Sequence, residues 1–150
     1  MKLAEALILR ADMQKTIAQL RNRMEKNAKV QEGEAPSEDA TELLQKHDIL
    51  MDELEALIIR INATNSAVTF EADTLVAAIV KRDNLRAKIS AYRGLYDSAA
   101  IRQERYSRSE VKYMRCIDTA MLQERINAMS RQFRELDTAI QAKNWECDLL

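Results

Sequence analysis

Three residues in this chain of 150 resist regular secondary structure outright: Gly33, Gly94 and Pro36. Tight turns, β-bulges and kinks draw on glycine and proline, so a chain with so few of them has few places to reverse direction. Long helices joined by few connections follow. The residues that fill the rest, chiefly Ala, Leu, Glu, Lys, Arg, Gln and Met, are the strong helix formers.

The apolar spacing locates the helices. Leu3, Ala6, Met13, Ile17, Leu20 and Met24 share one face and predict a helix over residues 3–28. Residues 30–39 hold Gly33, Pro36, Ser37 and several acids, and read as a connection. Asp39 followed by Glu42 resembles a capping box opening a second helix. That helix carries Leu43, His47, Leu50, Leu54, Leu57 and Ile61 and is expected to stop within 62–65. After a linker with Val68 and Phe70, Asp73 is expected to cap a third helix whose seam is Leu75, Ala78, Arg82, Leu85, Ile89, Tyr92, Tyr96 and Ala99. Residues 101–117 are expected to be irregular, because Val111, Tyr113, Arg115 and Ile117 alternate with period two as well as fitting a loose helix turn. A fourth helix resumes by Asp118, buries Leu122, Ile126, Met129, Phe133, Leu136 and Ile140, and ends around Trp145.

A shift of 72 residues superposes the first seam on the third and the second on the fourth. Leu3 meets Leu75, Ala6 meets Ala78, Arg10 meets Arg82, Met13 meets Leu85 and Ile17 meets Ile89. At the same offset Leu50 meets Leu122, Leu54 meets Ile126, Leu57 meets Met129 and Ile61 meets Phe133. Two related α-hairpins, about 1–62 and 73–150, are the reading. Each hairpin alone leaves an apolar stripe in water. The expected fold is therefore all-α, one domain over 1–150, an antiparallel up-down four-helix bundle built from two similar α-hairpins. Residues 37–72 hold two basic and eight acidic side chains, and residues 73–108 hold eight basic and four acidic, which suits neighbouring helices of opposite charge.

Composition bounds function. Charged residues are spread along the chain, which argues for a folded protein. A net charge of −1 disfavours coating nucleic acid or anionic lipid with the whole surface. The amino terminus shows no apolar segment ahead of a cleavage site, and no apolar run approaches membrane-spanning length, so a cytoplasmic protein is expected. Cys116 and Cys147 have no partner Cys or His at ligand spacing, and no Glu-x-x-His pair is present, so no metal and no cofactor are assigned.

His47 is the one histidine, and no nucleophile motif accompanies it, so no catalytic residue is assigned and a non-enzymatic protein is expected. Its seam position reads as a neutral imidazole packed beside leucines with one hydrogen bond. Arg10 and Arg82 sit where a bundle wants apolar residues; each needs a partner, with Asp48 and Asp52 among the candidates, or a stem that reaches the surface. Arg102, Arg105, Arg108, Lys112 and Arg115, interleaved with Tyr106 and Tyr113, form a candidate anion-binding segment for single-stranded nucleic acid or another polyanion. In an up-down bundle this segment shares an end with the 30–39 connection, whose Glu32, Glu34, Glu38 and Asp39 would neutralise it.

The string Met1-Lys2-Leu3-Ala4-Glu5-Ala6-Leu7, the Arg60-Ile61-Asn62 helix end, the segment Arg105-Tyr106-Ser107-Arg108-Ser109-Glu110 and the closing Asn144-Trp145 resemble a small family of uncharacterised bacterial proteins, some of which carry the label septicolysin. The resemblance covers nearly the whole chain and implies no activity; the label implies a membrane-active, pore-forming protein. The chain offers neither a long amphipathic β-hairpin nor an apolar helix for insertion. Function classes therefore rank as a helical interaction or scaffold protein, with a protein partner or a second copy; then a polyanion (RNA or phosphate) binder through residues 101–115; then a septicolysin-like membrane-active protein.

Overall fold

Helices α1 (Leu3–Asn27), α2 (Ala40–Ala67), α3 (Leu75–Ala99) and α4 (Thr119–Glu146) make up most of the chain, with one two-stranded hairpin, β1 (Thr69–Phe70) and β2 (Asp73–Thr74). The structure, a computed structural model, describes residues 1–100 and 113–150. It is all-α in class. The chain divides into two units, Met1–Leu75 with Gln141–Leu150, and Val76–Ile140.

In the first unit α1 packs against α2. Leu3, Ala6, Met13 and Leu20 are buried on α1, and Leu43, Leu54, Leu57 and Ile61 on α2, while Ile17, Met24 and Leu50 of the expected seams are half-buried. Each buried leucine stabilises the hairpin by about 1.5–3 kcal/mol, so this seam dominates its stability. The ends are set by polar groups. Glu5 accepts the Lys2 N–H at 2.7 Å, half of a capping box. At the far end Arg23 grips Glu38 with Nε at 2.9 Å and with Nη2, and Asn27 Oδ1 accepts the Glu38 N–H at 3.1 Å. Gly33 takes φ +90, a left-handed conformation that glycine adopts without steric cost, and so reverses the connection. Asp39 is the N-cap of α2, accepting from Thr41 N–H at 2.7 Å and Glu42 N–H at 3.3 Å.

α2 does not stop within 62–65 but runs to Ala67. Thr64 explains the difference. Its hydroxyl donates to the Arg60 carbonyl at 2.8 Å and its own carbonyl accepts the Val68 N–H at 2.9 Å, so the polar side chain is satisfied inside the helix. The linker that follows is a hairpin pairing Thr69 with Thr74 and Phe70 with Asp73; Phe70 is buried and Glu71 takes φ +51. Asp73 therefore lies in β2, and its carboxylate accepts the Thr74 N–H at 2.7 Å instead of capping α3 from the N-cap position.

The first unit also holds the carboxyl-terminal segment. Leu3 N–H donates to the Cys147 carbonyl and Leu149 N–H to the Met1 carbonyl, both at 3.0 Å, with Lys2 bridged to Asp148. Arg60 Nε donates to the Leu150 main-chain oxygen at 2.7 Å, and Leu150 N–H donates to Thr64 Oγ1 at 3.0 Å.

In the second unit α3 and α4 run antiparallel, as three contacts in succession require. Arg82 meets Asp137 at 3.2 Å, Arg86 lies 5.2 Å from the Phe133 ring centroid, and Arg125 donates to the Tyr92 hydroxyl at 3.4 Å. Asp118 opens α4, accepting from Ala120 N–H at 2.8 Å and Met121 N–H at 3.2 Å. Ile89, Leu122 and Ile126 of the expected seams are buried, whereas Leu85, Tyr92, Tyr96, Met129, Phe133 and Leu136 are half-buried. Residues 113–117, the described part of the expected irregular segment, carry no helix or strand.

Candidate functional site

Two helix faces in the second unit converge on a cleft of about 620 Å³. On α3 the spacing from Arg86 through Ser90, Arg93, Gly94 and Asp97 places these residues along one face. Ser130, Phe133 and Arg134 contribute from α4. Gly94 presents no side chain there; a Cβ built on it meets nothing within 4 Å.

The cleft carries three guanidinium groups against one carboxylate. Arg86 is stacked over Phe133, where the ring's negative face attracts the cation. Among the described residues Arg93 and Arg134 form no ion pair. Ser130 Oγ is buried and has no hydrogen-bond partner among the described residues. The sequence signal for this cleft was the seven-residue step from Arg86 to Arg93, which apolar periodicity does not register. Ser130 and Arg134 become relevant only once α4 is laid against α3.

The residues singled out in the sequence are dispersed. Arg82 is largely buried, its side chain 17% exposed, and its carboxylate partners are Asp137 at 3.2 Å and the adjacent Asp83 at 2.9 Å, in place of Asp48 or Asp52. Arg10, its counterpart at the 72-residue offset, is half-buried, and its Nε has no partner among the described residues. His47 is half-buried on α2, with Nδ1 3.1 Å from Asp48 Oδ1. Arg102, Arg105, Arg108 and Lys112 lie outside the described residues; Arg115 is exposed and donates Nε–H to the Ala99 carbonyl at 3.2 Å. Glu38, one of the acids expected to neutralise that segment, is committed to Arg23, which holds its carboxyl below the ordinary glutamate range.

On α2 a second surface stands out. Leu44, Met51 and Ile59 are 49%, 43% and 60% exposed on one face, interleaved with Asp48, Asp52 and Glu55. Met51, Leu54, Ile58 and Ile59 line a groove of about 370 Å³ there, with Asp52 and Glu55. Among the described residues no His, Cys, Asp and Glu side chains gather as a metal site requires, and no helix is long and apolar enough to cross a membrane.

Comparison with known proteins places this architecture without assigning it a task. The chain is similar over its whole length to a crystal structure described as a functionally unknown conserved protein from Corynebacterium diphtheriae, with 38% identity, a TM-score of 0.93, and 100% of this chain and 99% of that one covered. No protein with a curated description matches. Nothing found supports the septicolysin label. Residues 10–149 match the DUF6847 family, described as a family of unknown function, and with nearly every residue of the helices inside that match the chain belongs to this family.

Proposed function

We propose that this chain is a non-enzymatic helical interaction protein that receives a basic amphipathic helix of a protein partner on the exposed face of α2. The observation that carries this reading is the run of Leu44, Met51 and Ile59, exposed in water and interleaved with Asp48, Asp52 and Glu55. Exposed apolar side chains rimmed by charge mark interaction surfaces, and helix-in-groove recognition uses anchors at this spacing. The acidic rim selects the partner: a helix with Lys or Arg beside its apolar stripe is attracted, and an acidic one, including α2 of a second copy, is repelled. A non-catalytic role is supported by the one histidine, which is spent on Asp48, with no nucleophile motif in the sequence to use it.

Fluorescence anisotropy with a labelled Leu/Lys amphipathic peptide, beside its Leu/Glu counterpart, tests this. The Leu/Lys peptide should bind in the micromolar range, and Met51→Glu with Ile59→Glu should weaken it at least tenfold. Equal binding of both peptides, or no loss in the double variant, refutes the proposal. Concentration-dependent dimerisation in sedimentation equilibrium that the double variant abolishes would reassign the face to a second copy.

A further inference from the structure

We infer that the cleft between α3 and α4 binds a small phosphate monoester, with the phosphate on the arginines and an apolar body on Phe133 and Ile89. The cleft belongs to the second unit alone, and its assignment does not depend on the reading of the α2 face. The charge argument comes first. Arg93 and Arg134 are exposed guanidiniums lining one cleft without ion pairs among the described residues, and Arg86 lines the same cleft; Asp97 is the lone carboxylate there. Holding like charges along one concave surface is unfavourable unless an anion is shared between them, and the surplus of two positive charges matches a phosphate monoester, which carries nearly two negative charges at neutral pH. Planar guanidinium forks are suited to paired phosphate oxygens.

The hydroxyl supplies a second, independent observation. Ser130 lines the cleft, and its Oγ is shielded from solvent with no partner among the described residues. Buried hydroxyls are nearly always hydrogen-bonded, and rotation of this one toward the cleft would give it a phosphate oxygen as acceptor. Size then sets the ligand class. About 620 Å³ is well beyond what inorganic phosphate fills and falls within the range of small-molecule sites. Phe133 and the edge of the largely buried Ile89 give the remainder of the ligand an apolar wall, and Gly94 adds no side chain to the cleft.

Isothermal titration of the full chain at low ionic strength with phenyl phosphate, inorganic phosphate and phenol tests each part. Phenyl phosphate should bind with sub-millimolar affinity, inorganic phosphate at least fivefold more weakly, and phenol without measurable heat. Affinity should rise as pH increases through about 6, where the monoester takes its second charge. Arg93→Gln with Arg134→Gln should reduce phenyl phosphate affinity at least tenfold with a thermal midpoint no lower than the parent's, since both residues are exposed and their mutual repulsion is removed. Ser130→Ala should reduce it about threefold to tenfold, a second variant that adds no bulk. Absence of phenyl phosphate binding, equal affinity for phenol, or undiminished binding in the arginine double variant overturns the inference. Equal affinity for inorganic phosphate would overturn the assignment of an apolar body.

Discussion

Arg82 is a seam arginine held by carboxylates of two helices. Its guanidinium sits on the α3 seam, mostly shielded, between Asp83 on its own helix and Asp137 on α4. Arg82→Ala strands Asp137 in a partly buried position and should lower unfolding free energy by about 2 kcal/mol in urea titration, short of a fully buried pair because Asp137 retains solvent. Arg82→Met should cost roughly half as much, since the stem's packing is kept. Arg10 occupies the matching position in the first hairpin, yet its Nε meets no acceptor among the described residues, so Arg10→Met should be neutral or slightly stabilising. The two cysteines differ by environment. Cys116 is exposed, while burial pushes the Cys147 thiol up, so iodoacetamide followed by mass spectrometry should find Cys116 alkylated well before Cys147.

At the scale of elements, the connections carry more of the sequence-specific design than the helices do. Asp39 accepts two N–H groups at the start of α2, and those bonds hold its carboxyl below the ordinary aspartate value. A group depressed in the folded state contributes stability that is fully present above its unfolded pKa, near 4, and is lost as pH falls through the lower folded value. Glu38, depressed chiefly by its hydrogen bond from Arg23, acts with the same sign. Acid titration followed by circular dichroism should therefore show Asp39→Ala less stable than the parent at neutral pH, with the difference closing as pH falls below the ordinary aspartate range. Gly94 lies within α3 with no neighbour near its Cβ position, so Gly94→Ala should raise stability by about 0.5–1 kcal/mol. The capped hairpin around Glu71 illustrates what helical periodicity hides. Four residues in two strands carry no pattern, and the pairing of Thr69 with Thr74 and of Phe70 with Asp73 reveals them.

Over the whole molecule, hydrogen bonds at the chain's two ends join the apolar seams in holding the fold. The carboxyl-terminal residues are tied to Met1, Leu3, Arg60 and Thr64 by main-chain and side-chain hydrogen bonds. Ending the chain after Glu146 removes four of these and should reduce the stability of the first unit by about 2–4 kcal/mol, measured as a lower urea midpoint. Far-ultraviolet circular dichroism of the intact chain should be that of a predominantly helical protein. What the sequence determined by itself was, among the described residues, the position of each helix to within a few residues and much of its buried face. Scarce glycine and proline, and apolar spacing of three and four, act within single elements, so Leu3, Ala6, Leu54, Leu57, Ile61, Ile89 and Ile126 could be placed inside from their spacing alone. What tertiary structure decided was every pairing across elements. That Arg82 answers Asp137, that Arg86 stacks on Phe133, and that Ser130 lines the cleft with Arg93 and Arg134 are consequences of the antiparallel register between α3 and α4. Side-chain spacing along one helix holds no information about which residue of another it will meet, because that register is set by the packing of both faces at once.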